Sequence, residues 1–116
     1  MGDRGEEVAC KYLSQRGLSI IERNWTAGHL ELDIVALAAD GLHFVEVKSR
    51  TAPLSADPLE NVTAYKRQKL VRAARVYLAR RPCGDAEIFF DIVTVVFDGE
   101  DVNVHYYPRA FIPIYL

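Results

Sequence analysis

Two apolar runs around a tight turn decide the fold, and they read Leu30-Glu31-Leu32-Asp33-Ile34-Val35-Ala36-Leu37-Ala38, then Asp40-Gly41, then Leu42-His43-Phe44-Val45-Glu46-Val47-Lys48-Ser49. Both runs are rich in the β-branched and large apolar residues that favour strands. An Asp-Gly dipeptide between two such runs is a strong signal for a two-residue hairpin loop. We therefore predict an antiparallel hairpin that turns at Asp40-Gly41.

The predicted turn also fixes which side chains share a face of the hairpin. With residues 40 and 41 as the loop, Asp33 lies opposite Lys48 and Val35 lies opposite Glu46. Because side chains alternate along a strand, Asp33, Glu46 and Lys48 then point to one face, together with Glu31. A slip of one residue would separate Asp33 from the other two, so this prediction depends on the turn.

The charged side chains in this otherwise apolar hairpin are candidates for a metal-binding and catalytic site. Two neighbouring carboxylates repel each other, and a hard divalent cation such as Mg²⁺ relieves that repulsion. Lys48 beside Asp33 and Glu46 could stabilise the charge that develops on phosphate oxygens, so the group suits phosphodiester hydrolysis. The alternative is a cross-strand salt bridge between Asp33 and Lys48 on a solvated face.

The remaining pattern predicts a mixed β-sheet flanked by helices. The second helix begins either at Pro58, with Asp57 as its cap, or at Thr63, and it ends near Arg81. The predicted order is α-β-β-β-α-β-β, with the other elements at a helix from about Asp3 to Arg16 and strands over Leu18 to Trp25, Glu87 to Phe97 and Val102 to Tyr107.

The second helix is strongly basic. Residues 66 to 81 contain seven of the 14 lysines and arginines and no acidic residue. Such a face can hold a phosphate backbone, and we expect Lys66, Lys69 and Arg72 to bind nucleic acid. The alternative is a solvated helix face whose cations favour the C-terminal end of the helix.

Length and composition bound the other possibilities. A chain of 116 residues with 50% hydrophobic residues suits a single domain over 1–116. No apolar run approaches the ~20 residues of a membrane span, and no P-loop, dinucleotide fingerprint, zinc spacing or nucleophile elbow is present. Cys10 and Cys83 form no C-x-x-C pair and are expected to be reduced thiols of a cytoplasmic protein.

The hairpin also carries a family resemblance. Asp33, twelve intervening residues and then Glu46-Val47-Lys48 resemble the D…E-x-K core of the PD-(D/E)xK nuclease superfamily. The wider pattern is similar to the YraN-like family of small bacterial proteins, which resemble archaeal Holliday-junction resolvases. The matching segments are Gly5-Glu6 with Ala9, Arg23-Asn24-Trp25, Glu31 to Val35, Phe44 to Arg50, Val62-Thr63 with Lys66-Arg67, Ala73-Ala74, Tyr77-Leu78, Phe90-Asp91 and Ala110-Phe111.

The resemblance implies a restriction-endonuclease-like fold and a metal-dependent endonuclease. It assigns Asp33 and Glu46 as ligands of Mg²⁺ or Mn²⁺, Lys48 as the catalytic lysine, and Glu6 as a further metal ligand. It favours DNA over RNA as the substrate and leaves structure-specific cleavage and a homodimer open. Two positions depart from the family pattern, since Leu30 stands where glycine is usual and Phe89 where arginine is usual.

Two other functions compete with the nuclease. The chain could be a nucleic-acid-binding module that keeps the fold without catalysis, or an interaction protein whose basic helix binds an acidic partner. Asp91, in an apolar strand, is either an acid that supports the site or a structural partner of a helix cation. The histidines, among them His43, are expected to be surface or structural residues.

Overall fold

One five-stranded β-sheet carries a helix on each of its faces. The computed structural model describes residues 2–112, without the side chains of residues 2, 3, 60 and 61. The predicted order α-β-β-β-α-β-β is confirmed, with one added 3₁₀ turn. The elements are α1 (Gly2–Gln15), β1 (Ser19–Ala27), β2 (Leu30–Ala38), β3 (Gly41–Thr51), the 3₁₀ turn (Pro58–Asn61), α2 (Ala64–Arg80), β4 (Ile88–Asp98) and β5 (Asp101–Phe111).

The strands lie in sequence order across the sheet. Neighbouring strands are antiparallel except β3 and β4, which run parallel. Parallel neighbours need a long crossover, and α2 supplies it. None of the described helices is long and apolar enough to cross a membrane.

Both predicted starts of the second helix are used, each by a different element. The side chain of Asp57 accepts a hydrogen bond of 3.0 Å from the backbone N–H of Leu59 and caps the 3₁₀ turn. Thr63 accepts one of 3.3 Å from the backbone N–H of Lys66 and caps α2. Two consecutive caps separate a short turn from the long helix, so α2 begins after Thr63.

The sheet buries an apolar core on each face. The core under α2 includes Val35, Phe44, Leu70, Val71 and Phe90. The core under α1 is built from Ala9, Leu13, Ile34, Val45, Val93 and Val95. Adjacent strand residues such as Phe44 and Val45 thus belong to opposite cores, as strand alternation requires. Phe44 and Glu46 therefore share the α2 face.

The predicted register of the β2–β3 hairpin was wrong by two residues. Ala38 pairs with Gly41 and Val35 with Phe44, so the two-residue loop is Ala39-Asp40. Gly41 begins β3 with φ of 147°, and a Cβ there would overlap the carbonyl oxygen of Glu87. Because glycine has no Cβ, it fits this close approach at the start of β3. A shift of two residues leaves Asp33, Glu46 and Lys48 on one face, and Asp33 comes to lie level with Glu46 rather than Lys48.

Candidate active site

A local break in β2 positions Asp33. Leu32 and Val35 both pack in the core under α2, although regular alternation over three residues would put them on opposite faces. The ladder between β2 and β3 runs only as far as the pair Ile34 and Val45. Beyond it, the carboxylate of Asp33 accepts a hydrogen bond of 2.9 Å from the backbone N–H of Val47. Asp33 therefore takes the place of a strand partner for β3, which fixes its carboxylate beside Glu46.

A cleft of about 270 Å³ opens where β3 faces the first turns of α2. We call it the first cleft. It brings three lysines and two glutamates together with a histidine and two leucines. The lining residues are His29, Leu30, Glu31, Glu46, Lys48, Lys66, Lys69 and Leu70. Its walls therefore combine carboxylate oxygens with ammonium groups, as a site for a metal-bound phosphate would.

The two carboxylates of the hairpin share an unfavourable environment. Burial, followed by the charge of Asp33, raises the pKa of Glu46 to about 7, against the opposing effect of Lys48. Burial also raises the pKa of Asp33, with a further contribution from Glu31, while the N–H of Val47 opposes the rise. The Asp33 and Glu46 carboxyl groups are close enough that each affects the pKa of the other. The pair therefore keeps a proton at pH values at which ordinary carboxylates are ionised.

Lys48 is the buried cation of the first cleft. It is only 7% exposed, so the face it occupies is not a solvated one. Burial, followed by the neighbouring Lys66, lowers the pKa of Lys48 to about 8, while Glu46 opposes the change. Among the described residues, Asp33 and Lys48 form no ion pair within 4.0 Å. The salt-bridge interpretation of the hairpin charges is therefore not supported.

Most of the predicted site residues lie at the first cleft, and one lies in a cleft beside it. Asp33, Glu46 and Lys48 are brought together, and Lys66 and Lys69 line the same cleft from α2. Arg72 lies in an adjoining cleft further along α2.

Glu6, the further predicted metal ligand, belongs to α1 rather than to the hairpin. It lies half-buried on the first turns of α1, next to Gly5, where an added Cβ would collide with the side chain of Ser49. No group of three His, Cys, Asp or Glu side chains able to hold a metal ion is found in the part of the chain that the structure describes. Glu6 as a third metal ligand therefore stays a prediction.

A second buried network, at the opposite end of β3, was not predicted from the sequence. The His43 ring lies between two carboxylates, with Nδ1 at 2.6 Å from Asp91 and Nε2 at 2.7 Å from Asp40. Asp91 also accepts a hydrogen bond of 2.6 Å from the Tyr106 hydroxyl and one of 2.9 Å from the backbone N–H of Arg109. We call these five residues the histidine cluster. Asp91 is thus a structural residue, but its partners are on strands rather than on a helix.

The signal for the histidine cluster was present in the sequence. His43 and Asp91 each interrupt a run of large apolar residues, and buried polar side chains almost always have hydrogen-bond partners. The sequence alone does not say that these two residues pair, because they are 48 positions apart.

Comparisons with known proteins identify the family. The model of the uncharacterised protein family UPF0102 matches residues 5–95, a span that contains every predicted site residue. A UPF0102 protein of Bacteroides thetaiotaomicron is 40% identical over 113 residues, covering 97% of this chain and 93% of the relative. One of Nitratidesulfovibrio vulgaris is 40% identical over 110 residues, or 95% of this chain and 82% of the relative.

A longer relative matches over part of its length. A UPF0102 protein of Oleidesulfovibrio alaskensis is 47% identical over 94 residues, which cover 81% of this chain and 46% of that protein. Together, the family match and these identities show that the chain belongs to the UPF0102 family.

Proposed function

We propose that this UPF0102 protein is a metal-dependent nuclease of the PD-(D/E)xK type that hydrolyses nucleic-acid phosphodiester bonds in the first cleft. The observation that carries the proposal is the half-buried pair of carboxylates, Asp33 and Glu46, beside the buried Lys48. Burial raises the pKa of both carboxyl groups, and the charge of Asp33 helps to raise that of Glu46 to about 7. Such strained carboxylates are typical of functional sites, since they gain most from binding a cation.

The donor set of the cleft fits Mg²⁺ or Mn²⁺. Both ions prefer oxygen ligands, and Mg²⁺ is commonly held by one or two carboxylates while it keeps several waters. Asp33 and Glu46 would hold the ion, and the N–H of Val47 keeps the Asp33 carboxylate in place. When bound, the ion supplies Lewis-acid activation of the phosphate and of water.

The lysines of the first cleft bind the phosphate of the substrate and stabilise its charge. Lys48, buried beside Glu46, stabilises the negative charge that builds up on the phosphorus oxygens during attack. Lys66 and Lys69 line the cleft from α2 and hold the phosphate in place. Positioning and charge stabilisation together are the main protein contributions to phosphoryl transfer.

A cleavage screen tests this proposal. Fluorescently labelled linear, nicked and branched DNA is incubated with the protein in Mg²⁺ or in Mn²⁺. We expect product with the wild type and a loss of at least about a hundredfold in Glu46→Gln, because one ligand and one charge are removed. Glu7→Gln, an exposed position on α1, is the matched control and should cleave at the wild-type rate.

Protein that binds these substrates and is stabilised by Mn²⁺ but yields no product would refute hydrolysis. Equal cleavage by wild type and Glu46→Gln would also refute the assignment, because the activity would then come from elsewhere or from a contaminant.

A nucleic-acid-binding module without catalysis is the second candidate. It is favoured by the finding that the described residues contain no three-ligand group for a metal ion. Thermal melts in Mg²⁺ and Mn²⁺ separate the two candidates. The module predicts no metal stabilisation, whereas the nuclease predicts stabilisation that depends on Asp33 and Glu46.

A further inference from the structure

A second cleft, of about 430 Å³, adjoins the first one along α2. Three arginines surround a floor of small apolar side chains in it. The lining residues are Leu30, Arg72, Arg75, Val76, Ala79 and Arg80. Leu30 belongs to both clefts, so they form neighbouring parts of one surface beside the β1–β2 turn. The volume lies within the range of about 300–1,000 Å³ that is usual for ligand sites.

The arginines of the second cleft are available to a ligand. In the part of the chain that the structure describes, the arginines in ion pairs are Arg81, with Glu22, and Arg109, with Asp40. Arg72 and Arg75 are exposed, and Arg80 lies 5.8 Å from the centre of the Trp25 ring. The surface therefore presents excess positive charge, which is complementary to a polyanion.

The apolar floor distinguishes between kinds of polyanion. A duplex offers phosphates to such a surface but keeps its base faces stacked inside the helix. An unpaired nucleotide offers a phosphate and also a base that can lie on Val76 and Ala79 and stack against a guanidinium. A run of Asp and Glu in a peptide would satisfy the arginines but has no flat apolar group for the floor.

We propose that the second cleft binds an unpaired nucleotide, so that the substrate of this protein carries a single-stranded segment next to the bond that is cut. The strand runs along α2, from the scissile phosphate in the first cleft to Arg72 and Arg75 in the second. The inference rests on the proposed function only in placing the cut bond in the first cleft. Binding of the unpaired segment can be measured without catalysis.

Fluorescence anisotropy in EDTA tests the binding site directly. The probes are an oligothymidylate long enough to span both clefts, the same strand in a duplex, and an abasic strand of equal length. We expect the wild type to bind the oligothymidylate at least about fivefold more tightly than the duplex or the abasic strand, because base stacking contributes to affinity. Arg72→Gln/Arg75→Gln should weaken this binding by about tenfold and reduce its salt dependence.

The matched control removes two charges from the other face of the protein. Lys11 and Arg23 are both exposed. Arg23 lies on the α1 side, since its charge is close enough to Cys10 of α1 to affect the pKa of that thiol. Lys11→Gln/Arg23→Gln therefore makes the same change in net charge on the α1 side. We expect this double variant to bind the oligothymidylate within about twofold of the wild type. Both double variants change exposed side chains, and their melting temperatures establish that they are folded.

Three other outcomes would overturn the inference. Equal binding of duplex or abasic strand would exclude the unpaired base as the ligand, and equal losses in the two double variants would exclude the second cleft as the site. Competition by polyglutamate as effective as that by unlabelled oligothymidylate would indicate an acidic protein partner. A wild type that binds single strands through Arg72 and Arg75 but cleaves nothing would refute the nuclease and leave this inference standing.

Discussion

Two groups of charged residues lie in the same sheet, and they are built in opposite ways. In the histidine cluster each carboxylate faces a donor, and the hydrogen bond from His43 keeps the pKa of Asp40 below its usual value. At the first cleft, Glu46 has the carboxylate of Asp33 as its neighbour, and the pKa of both is raised. Charges that have opposite partners hold a fold together, whereas crowded like charges cost stability and are found where a ligand is bound. The contrast separates a structural network from a candidate active site.

Removal of Asp91 should give the largest effect in the molecule. Asp91 is fully buried, and Asp91→Ala would leave His43, the Tyr106 hydroxyl and the Arg109 N–H without their acceptor. Breaking a buried charged network from one side costs about 3–5 kcal/mol. Urea unfolding should show this loss of free energy.

Asp98→Asn, at the exposed end of the same strand, provides the control and should stay within about 0.5 kcal/mol of the wild type. A loss below about 1 kcal/mol in Asp91→Ala would mean that the histidine cluster does not hold the sheet together.

The second prediction concerns pH and the first cleft. Because the pKa of Glu46 is raised from 4.5 to about 7 in the folded protein, the folded state binds the proton more tightly than the unfolded state. The resulting stability is fully present below about pH 4.5 and is lost as the pH rises through about 7, by an amount on the order of 3 kcal/mol. Lys48 has the opposite effect at higher pH, because its pKa is lowered to about 8 in the folded protein. The free energy of unfolding should therefore increase again as the pH rises above about 8.

The comparison of wild type with Glu46→Gln isolates this effect. Unfolding free energies measured across the pH range should converge in acid and diverge toward neutral pH, with the variant more stable there. Parallel curves for the two proteins would contradict the crowding of Asp33 and Glu46.

Metal should reverse the cost of the crowded carboxylates. At a concentration of about ten times its Kd, a ligand stabilises a protein by about 1.4 kcal/mol, or about 3–6 °C for a chain of this size. We expect Mn²⁺ to raise the melting temperature of the wild type by that amount. Asp33→Asn without metal should be as stable as the wild type or more so, and Mn²⁺ should have no effect on it.

The histidine cluster supplies the control for that experiment. Asp40→Asn changes a partly exposed carboxylate outside the first cleft and should keep the full response to Mn²⁺. An unresponsive wild type together with a destabilised Asp33→Asn would favour a salt bridge at Asp33 over a metal site.

The sequence predicts the element order and the shared face of Glu46 and Lys48 because both depend on short-range patterns. Alternation places Glu46 and Lys48 on one face, and a register shift of two residues does not alter that. The turn itself was misplaced because Asp40 bonds to His43 and Gly41 packs against Glu87, and neither contact is visible in the local sequence. The histidine cluster was not predicted for the same reason, because Asp91 of β4 binds residues of β3 and β5 that are distant in the sequence.

The smallest expected effect on stability, and the sharpest test of the contrast, comes from Lys66→Gln. Lys66 is exposed, so its loss should change the unfolding free energy by no more than about 0.5 kcal/mol. It nevertheless lowers the pKa of Lys48, which should therefore rise above about 8 in the variant, as an NMR titration of Lys48 would show. If Lys66 also contacts a phosphate, the slope of log affinity against log salt should fall by about one. Lys11→Gln, on the opposite face, should change neither the pKa of Lys48 nor the slope. A marked loss of stability in Lys66→Gln would mean that this lysine is part of the fold, and the first cleft would then resemble the histidine cluster rather than contrast with it.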